Sequence, residues 1–212
     1  MATLQELLNS PNQSVRLKAA LAAGTYPNSD QINILIVQCA SESDFFVRDT
    51  LSWALMRHDQ TSVVAQLKIE LKSENSQARS QALHTLSKIG DKENYTLITR
   101  DLLLDSDDFV ASTAWRSASV LVPDADKPAL VELLISQLGR GDSDTQFGLT
   151  RFLCAIGEPI VAPLMQAAQS ADEIVRTQAE FTLIRFQEME LEKVKKEVNV
   201  GGEGFEPPTF SV

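Results

Sequence analysis

An all-α solenoid of six helix pairs is the fold class this sequence predicts, and three observations predict it. The pattern of Asp172–Phe186, DEIVRTQAEFTLIRF, can be laid over five earlier stretches, so that its opening apolar residue recurs as Val15, Val47, Ala78, Val110, Thr145 and Val175. The residue three before each opener is Asn12, Asp44, Asn75, Asp107, Asp142 and Asp172, always a side chain that accepts hydrogen bonds from the free amides at a helix start. Opener to opener, the spacings are 32, 31, 32, 35 and 30 residues. That length holds two helices and two turns, the range of helical solenoids.

Each first helix shows one apolar face. Leu8, Ala40, Leu71, Leu103, Leu138 and Ala168 fall four residues before the cap, and Leu4, Ile36, Leu67, Thr99, Leu134 and Leu164 fall eight before it. Residues four apart share a face, with Thr99 the one polar exception. In the second helices the stripe runs through the opener, the fourth residue after it (Ala19, Leu51, Ala82, Ala114, Leu149, Ala179) and the eighth (Ala23, Leu55, Leu86, Ala118, Leu153, Leu183). Small residues there let neighbouring helices approach closely, and no pair can bury its stripes alone, so stacking and cooperative stability follow.

Turns are marked by Gly24 with Pro27, Gly90, Pro123, Gly139 with Gly141, and Gly157 with Pro159. The 35-residue spacing includes Gly139–Arg140–Gly141 and predicts a longer, more mobile turn before Asp142. The last helix continues, strongly charged, through Glu188–Glu197. It reads as an end cap and as a surface through which two copies could pair as a homo-oligomer. Residues 1–198 are therefore expected to form one solenoid domain, and the Gly- and Pro-rich residues 199–212, NVGGEGFEPPTFSV, a disordered tail.

Apolar residues make up 43% of the chain and aromatics 6%, so Leu, Ala, Val and Ile must carry the interior. A net charge of −10 withholds the broad cationic footprint that nucleic acid requires. Cys39 and Cys154 lie in different copies without CxxC company, which predicts free thiols and a reducing, cytoplasmic setting. MATLQELLNS has no basic start followed by an apolar core, and Asn33 and Gln38 interrupt the longest apolar run, so neither a secretory signal nor a membrane span is expected. The two histidines, His58 and His84, belong to no metal-binding motif, and no metal or cofactor is expected. Cys154 and His84 lie two copies apart, roughly 20 Å at ordinary helix packing distances, too far for a nucleophile and its base. The acids Asp105–Ser106–Asp107–Asp108 read as caps and first-turn residues facing the helix dipole.

At Gly157–Phe186, GEPIVAPLMQAAQSADEIVRTQAEFTLIRF, the chain resembles a HEAT repeat of the short bacterial kind, also named for phycobilisome lyases. The shared features are Pro159 and Pro163, the Asp172 turn, Val175–Arg176 and the small-residue helix. Arg16, Arg48 and Arg79 repeat the arginine of Arg176, whereas Ala111 and Gln146 break the ladder in copies four and five. The resemblance covers about Leu4 to Phe186. It implies a right-handed α-solenoid (an alpha-alpha superhelix) of about six two-helix HEAT-like repeats, with the second helices lining the concave face and the arginine ladder tying turns together. It implies no single activity, because the family includes scaffolds, lyase subunits and DNA glycosylases.

On such a face, positions two and six after the opener point away from the packed stripe. The sixth reads Leu21, Trp53, His84, Arg116, Arg151 and Phe181, and the second Leu17, Asp49, Ser80, Ser112, Phe147 and Thr177. Aromatics, a histidine and two arginines on an acidic chain read as a binding groove, with Trp53 and Phe147 as anchors, Arg116 and Arg151 as charge-pairing donors, and Asp49 and His84 between them. If the helices are rotated by one position, Trp53 and Phe181 are core instead. Trp115 reads as core or as a wedge between copies. A row from Trp53 to Arg151 spans roughly 25–30 Å, the length of an extended peptide or a helix. The expected function is a non-enzymatic scaffold that holds a segment of another protein. The resemblance offers two alternatives. One is a bilin lyase-type subunit, with Arg116 and Arg151 on the propionates of an open-chain tetrapyrrole and Trp53 stacked on a ring. The other is an alkylpurine DNA glycosylase, which the acidic balance opposes.

Overall fold

The computed structural model describes residues 2–200, and side chains through Lys196. The described residues form helices and turns and no strand. In chain order the helices are α1 (Leu4–Leu8), α2 (Gln13–Thr25), α3 (Ile32–Cys39), α4 (Phe45–Met56), α5 (Gln60–Glu70), α6 (Ser76–Ile89), α7 (Arg100–Leu103), α8 (Asp108–Leu121), α9 (Lys127–Ile135), α10 (Ser143–Ile156), α11 (Val161–Ala167) and α12 (Glu173–Val200). The even-numbered helices pack on one another in chain order, from α2 to α12, while α1, α3 and α5, and again α9 and α11, do so in a second layer. This arrangement is consistent with an α-solenoid.

Local chemistry starts each even-numbered helix. Asn12, Asp44, Asn75, Asp107 and Asp142 are the N-cap residues of α2, α4, α6, α8 and α10, each with a side-chain oxygen accepting from a first-turn amide. Asp172 likewise accepts from the amides of Ile174 and Val175 at 2.9 and 3.3 Å. Such a cap contributes about 1 kcal/mol, and its loss to alanine exposes amides that nothing else satisfies. All six residues at the fourth position after the opener are buried, as are Ile36, Leu67, Leu134 and Leu164 from the odd-numbered layer.

Thr99 departs from the expected stripe because it is not inside a helix. It is the N-cap residue of α7, which is only four residues long and follows a 3-10 segment, Lys92–Leu97. The apolar position is filled by its buried neighbour Ile98. The outer layer is correspondingly thin at this copy. Trp115 is fully buried beneath it and donates from Nε1 to the Leu103 carbonyl at 2.8 Å.

The arginine ladder ties turns together. Arg16, Arg48, Arg79 and Arg176 each donate to carbonyls of the turn just before their own helix: Ser10 and Pro11, Glu42 and Ser43, Ser73 and Glu74, and Ser170. Arg16 also forms a two-pronged pair with Glu42, at 2.7 and 2.8 Å, and Arg79 with Asp105, at 2.9 and 3.0 Å, each into the next copy. Burial would raise the pKa of Glu42, but Arg16, the Asp44 amide and Gln38 hold it below the ordinary carboxylate value. Asp105 is thus an ion-pair partner rather than a first-turn acid.

Where Ala111 breaks the ladder, an arginine arrives from the opposite direction. Arg140, in the turn of residues 136–142, reaches back to Asp108 at 2.8 Å and to the Asp105 carbonyl, and its guanidinium lies 5.7 Å from the Trp115 ring centre. The same turn is longer than the other turns within a helix pair, as expected, and it is tied down at several points. Gln178 accepts from the Gly139 amide at 2.6 Å, and Gln146 donates to the carbonyls of Gly139 and Gly141. Gly139 and Gly141 take φ of 82° and 71°, values that favour glycine.

Hydroxyls bridge the even-numbered helices. Ser80 meets Thr113 and Thr150 meets Thr182, both at 2.9 Å, and Ser117 donates to the Leu83 carbonyl. Buried polar groups must be satisfied in this way. α12 runs through Val200, past the expected domain boundary at residue 198, and the rest of the expected tail, residues 201–212, lies outside the described residues. No described helix is long and apolar enough to cross a membrane.

Candidate binding face

Of the residues at the second and sixth positions of the even-numbered helices, Asp49, His84 and Arg116 line one depression, with Ser80 buried in its floor, and Phe147, Thr177 and Phe181 line another, whereas Leu17, Leu21, Trp53, Ser112 and Arg151 line neither. The first, of about 220 Å³, lies over α4, α6 and α8 and is lined by Phe45, Asp49, Gln81, His84, Phe109 and Arg116, among others. Lys88 donates to Asp49 at 2.5 Å, and His84 Nε2 lies 3.8 Å from the same carboxylate oxygen. The hydrogen bond from Lys88 holds the Asp49 pKa below its ordinary value. His84 is lowered from 6.5 to about 4, first by burial and then by the charges of Lys88 and Arg116, which outweigh Asp49. It therefore presents a neutral imidazole at neutral pH.

The second depression, of about 450 Å³, is apolar and lies between α10 and α12, lined by Phe147, Thr150, Ile174, Thr177, Gln178 and Phe181, among others. Phe147 and Phe181 meet edge to face there, with centroids 5.6 Å apart, a favoured aromatic geometry. Both remain exposed, Phe147 at 54%. Arg116 on α8, at the edge of the first depression, and Arg151 on α10, which lines neither, occupy equivalent positions. Both are exposed and neither has an acidic partner among the described residues; Arg151 lies 6.0 Å from the Phe152 ring centre.

Trp53 differs from the other expected anchors. It is half-buried against the core and lines neither depression. Its ring rests on Gly24 of α2, so closely that a Cβ on that glycine would fall 2.3 Å from Cζ3. The glycine was legible as a turn signal, but its partnership with a tryptophan one copy away was not. The residues drawn together by a bilin reading, Trp53, Arg116 and Arg151, accordingly do not share one of these depressions.

Three exposed aromatics escaped the pattern of positions two and six. Phe45 and Phe46, themselves in edge-to-face contact at 5.6 Å, and Phe109 sit one or two residues before their openers, in the first turns of α4 and α8. The same positions carry Gln13 and Ser14, Ser76 and Gln77, and Ser143 and Asp144 in three other copies, while the last copy again places an exposed apolar residue there, Ile174. That contrast was available as a signal.

The remaining chemistry is structural. His58 is buried, its ring nitrogens 2.8 and 3.1 Å from the Ala54 carbonyl and the Gln31 side-chain oxygen. Cys39 and Cys154 are unpaired and buried, and burial pushes the Cys39 thiol up to about 12. Among the described residues no group of three or more His, Cys, Asp and Glu side chains is placed to hold a metal ion.

No protein-family model matches the sequence, and no curated protein matches it either. Among solved structures the chain is similar to an engineered protein, at 18% identity and a TM-score of 0.43, over 89% of this chain and 100% of that one. It is also similar to the complex of CpcE and CpcF of phycocyanin lyase from Nostoc sp. PCC7120, at 19% identity and a TM-score of 0.36, over 88% of this chain and 89% of that one. The second is a lyase of the kind that the repeat resemblance names. At these TM-scores neither likeness bears on what this chain binds.

Proposed function

We propose that the chain is a non-enzymatic interaction module: a right-handed superhelix of six HEAT-like repeats whose concave face, built by the even-numbered helices, holds a segment of another protein. The observation that supports this reading is one face of an acidic protein on which exposed Phe45, Phe109, Phe147 and Phe181 flank two arginines without acidic partners among the described residues. Solubility alone favours neither feature, and aromatic and arginine side chains are the residues that dominate protein interfaces. Phe147 and Phe181 offer an apolar seat, and Arg116 and Arg151 offer donors for carboxylates. Two unpaired thiols accord with the cytoplasm as the compartment.

The test uses the full chain immobilised against native cytosol, beside an Arg116→Ala, Phe147→Ala variant. Trp53 is left intact, because its truncation would disturb packing on α2. A retained protein is then purified and its affinity measured for both forms by calorimetry. The reading expects binding that weakens at least tenfold in the variant, with an unchanged unfolding midpoint. A partner held equally by both forms, or none retained by either, overturns the assignment of this face.

A further inference from the structure

α12 carries an apolar edge that no other described helix covers, and we infer that it seats a second copy of this chain in antiparallel orientation. This inference shares Phe181 and Ile174 with the proposed binding face, but its test turns on Glu188, Leu191 and Lys195, which lie outside that face, so the two readings can fail separately. At 1.5 Å per residue α12 is about 42 Å long and α10 about 21 Å. Among the described side chains of α12, Phe186 is the last that is buried and Met189 the last packed on the core, so the helix runs on past the elements that support it. A bare extension of this length is marginal in water and gains stability from a packed partner.

The sequence of that extension specifies the partner. Ile184, Glu188, Leu191 and Lys195 follow one another at spacings of four, three and four, the period of a coiled-coil seam. Ile184 and Leu191 are both exposed, at 54% and 61%, and Phe181 and Ile174 prolong the seam toward the start of α12. Glu188 and Lys195 lie on opposite sides of Leu191. A parallel pair would set Glu188 against Glu188 and Lys195 against Lys195. An antiparallel pair centred between Leu191 and Glu192 sets each Glu188 against the other copy's Lys195 and brings the two Leu191 side chains within about one residue of the same level. It also keeps the two helical arrays at opposite ends, with each overhang lying along the exposed Phe181 and Ile184 of the other. Within its own helix the seam residue Glu188 accepts from Arg185, and the neighbouring Glu190 from Lys193, both at 2.6 Å, and these exposed pairs can be shared across the seam.

Sedimentation velocity of the full 23.3 kDa chain tests this, over about 1 to 100 µM, the range of a modest interface. The wild type is expected to reach twice the monomer mass within that range, and Leu191→Asp to stay monomeric. Each single reversal, Glu188→Lys or Lys195→Glu, turns two attractive contacts into repulsive ones and should weaken the dimer about tenfold. The double reversal restores the antiparallel match and the wild-type affinity. Circular dichroism confirms that each variant stays folded. A wild type that is monomeric at the highest concentration overturns the inference, as does a Leu191→Asp dimer or a double reversal that fails to recover.

Discussion

Gly24→Ala and Gly148→Ala are the same substitution in two helices that pack side by side with a neighbour, yet the structure assigns them opposite signs. Alanine is favoured over glycine by up to about 1 kcal/mol inside a helix. At Gly24, in the last turn of α2, part of that gain is already lost to the helix end. The new Cβ would lie 2.3 and 2.8 Å from ring carbons of Trp53 and 2.9 Å from the Cα of Ala54. The ring is packed against the core, and the Ala54 backbone moves only if α4 moves. Overpacking of this kind costs about 1–3 kcal/mol, so Gly24→Ala should lose about 1–2 kcal/mol net. For a chain of this size that lowers the thermal midpoint by about 2–8 °C. At Gly148 the nearest atoms to a new Cβ are 3.5 and 3.6 Å away, ordinary contact distances. There the helix term is left to act, and Gly148→Ala should stabilise by about 0.5–1 kcal/mol. Thermal and urea unfolding of both variants decide the matter. A Gly24→Ala chain as stable as the wild type would refute the close approach of α2 and α4 and release Trp53 to serve as a surface anchor.

Acid should act on His84 before it acts on the carboxylates. With its pKa lowered from 6.5 to about 4 in the folded chain, the unfolded chain binds a proton between those values that the folded chain does not, so stability falls as pH drops through that window. Asp49 and Glu42, held below their ordinary 3.8 and 4.5, give up their contributions only lower down. His84→Asn should therefore flatten the unfolding midpoint between pH 6.5 and 4.5, and a His84 resonance should titrate near 4. Arg140→Ala removes the bridge to Asp108 and Asp105 and the cation over Trp115, and should cost roughly 1–2 kcal/mol in urea unfolding, whereas the exposed Arg100→Ala should change little. Cys39 and Cys154 should resist a bulky thiol reagent in the native chain and react on unfolding, because both are buried and both thiols are raised above their ordinary pKa.

The parts of this protein that could be read directly are those whose cause lies within a few residues. A cap at Asp44 accepts from the amide of Val47, three residues on, and Leu51 and Leu55 fall on the buried face because they lie four and eight residues past that opener. Local geometry of this kind repeats in every copy, so the sequence alone determined where each even-numbered helix begins and which face it buries. The tertiary structure decided what meets across copies. Trp53 occupies an outward position by count, and is drawn inward because the copy before it presents a glycine there. Arg140 stands in for a missing ladder arginine because its turn folds back over Trp115. The groove residues divide between two depressions because Asp49, His84 and Arg116 come from α4, α6 and α8 while Phe147 and Phe181 come from α10 and α12. Each of these depends on contacts some thirty residues apart, set by how helices dock, and no local period encodes that docking.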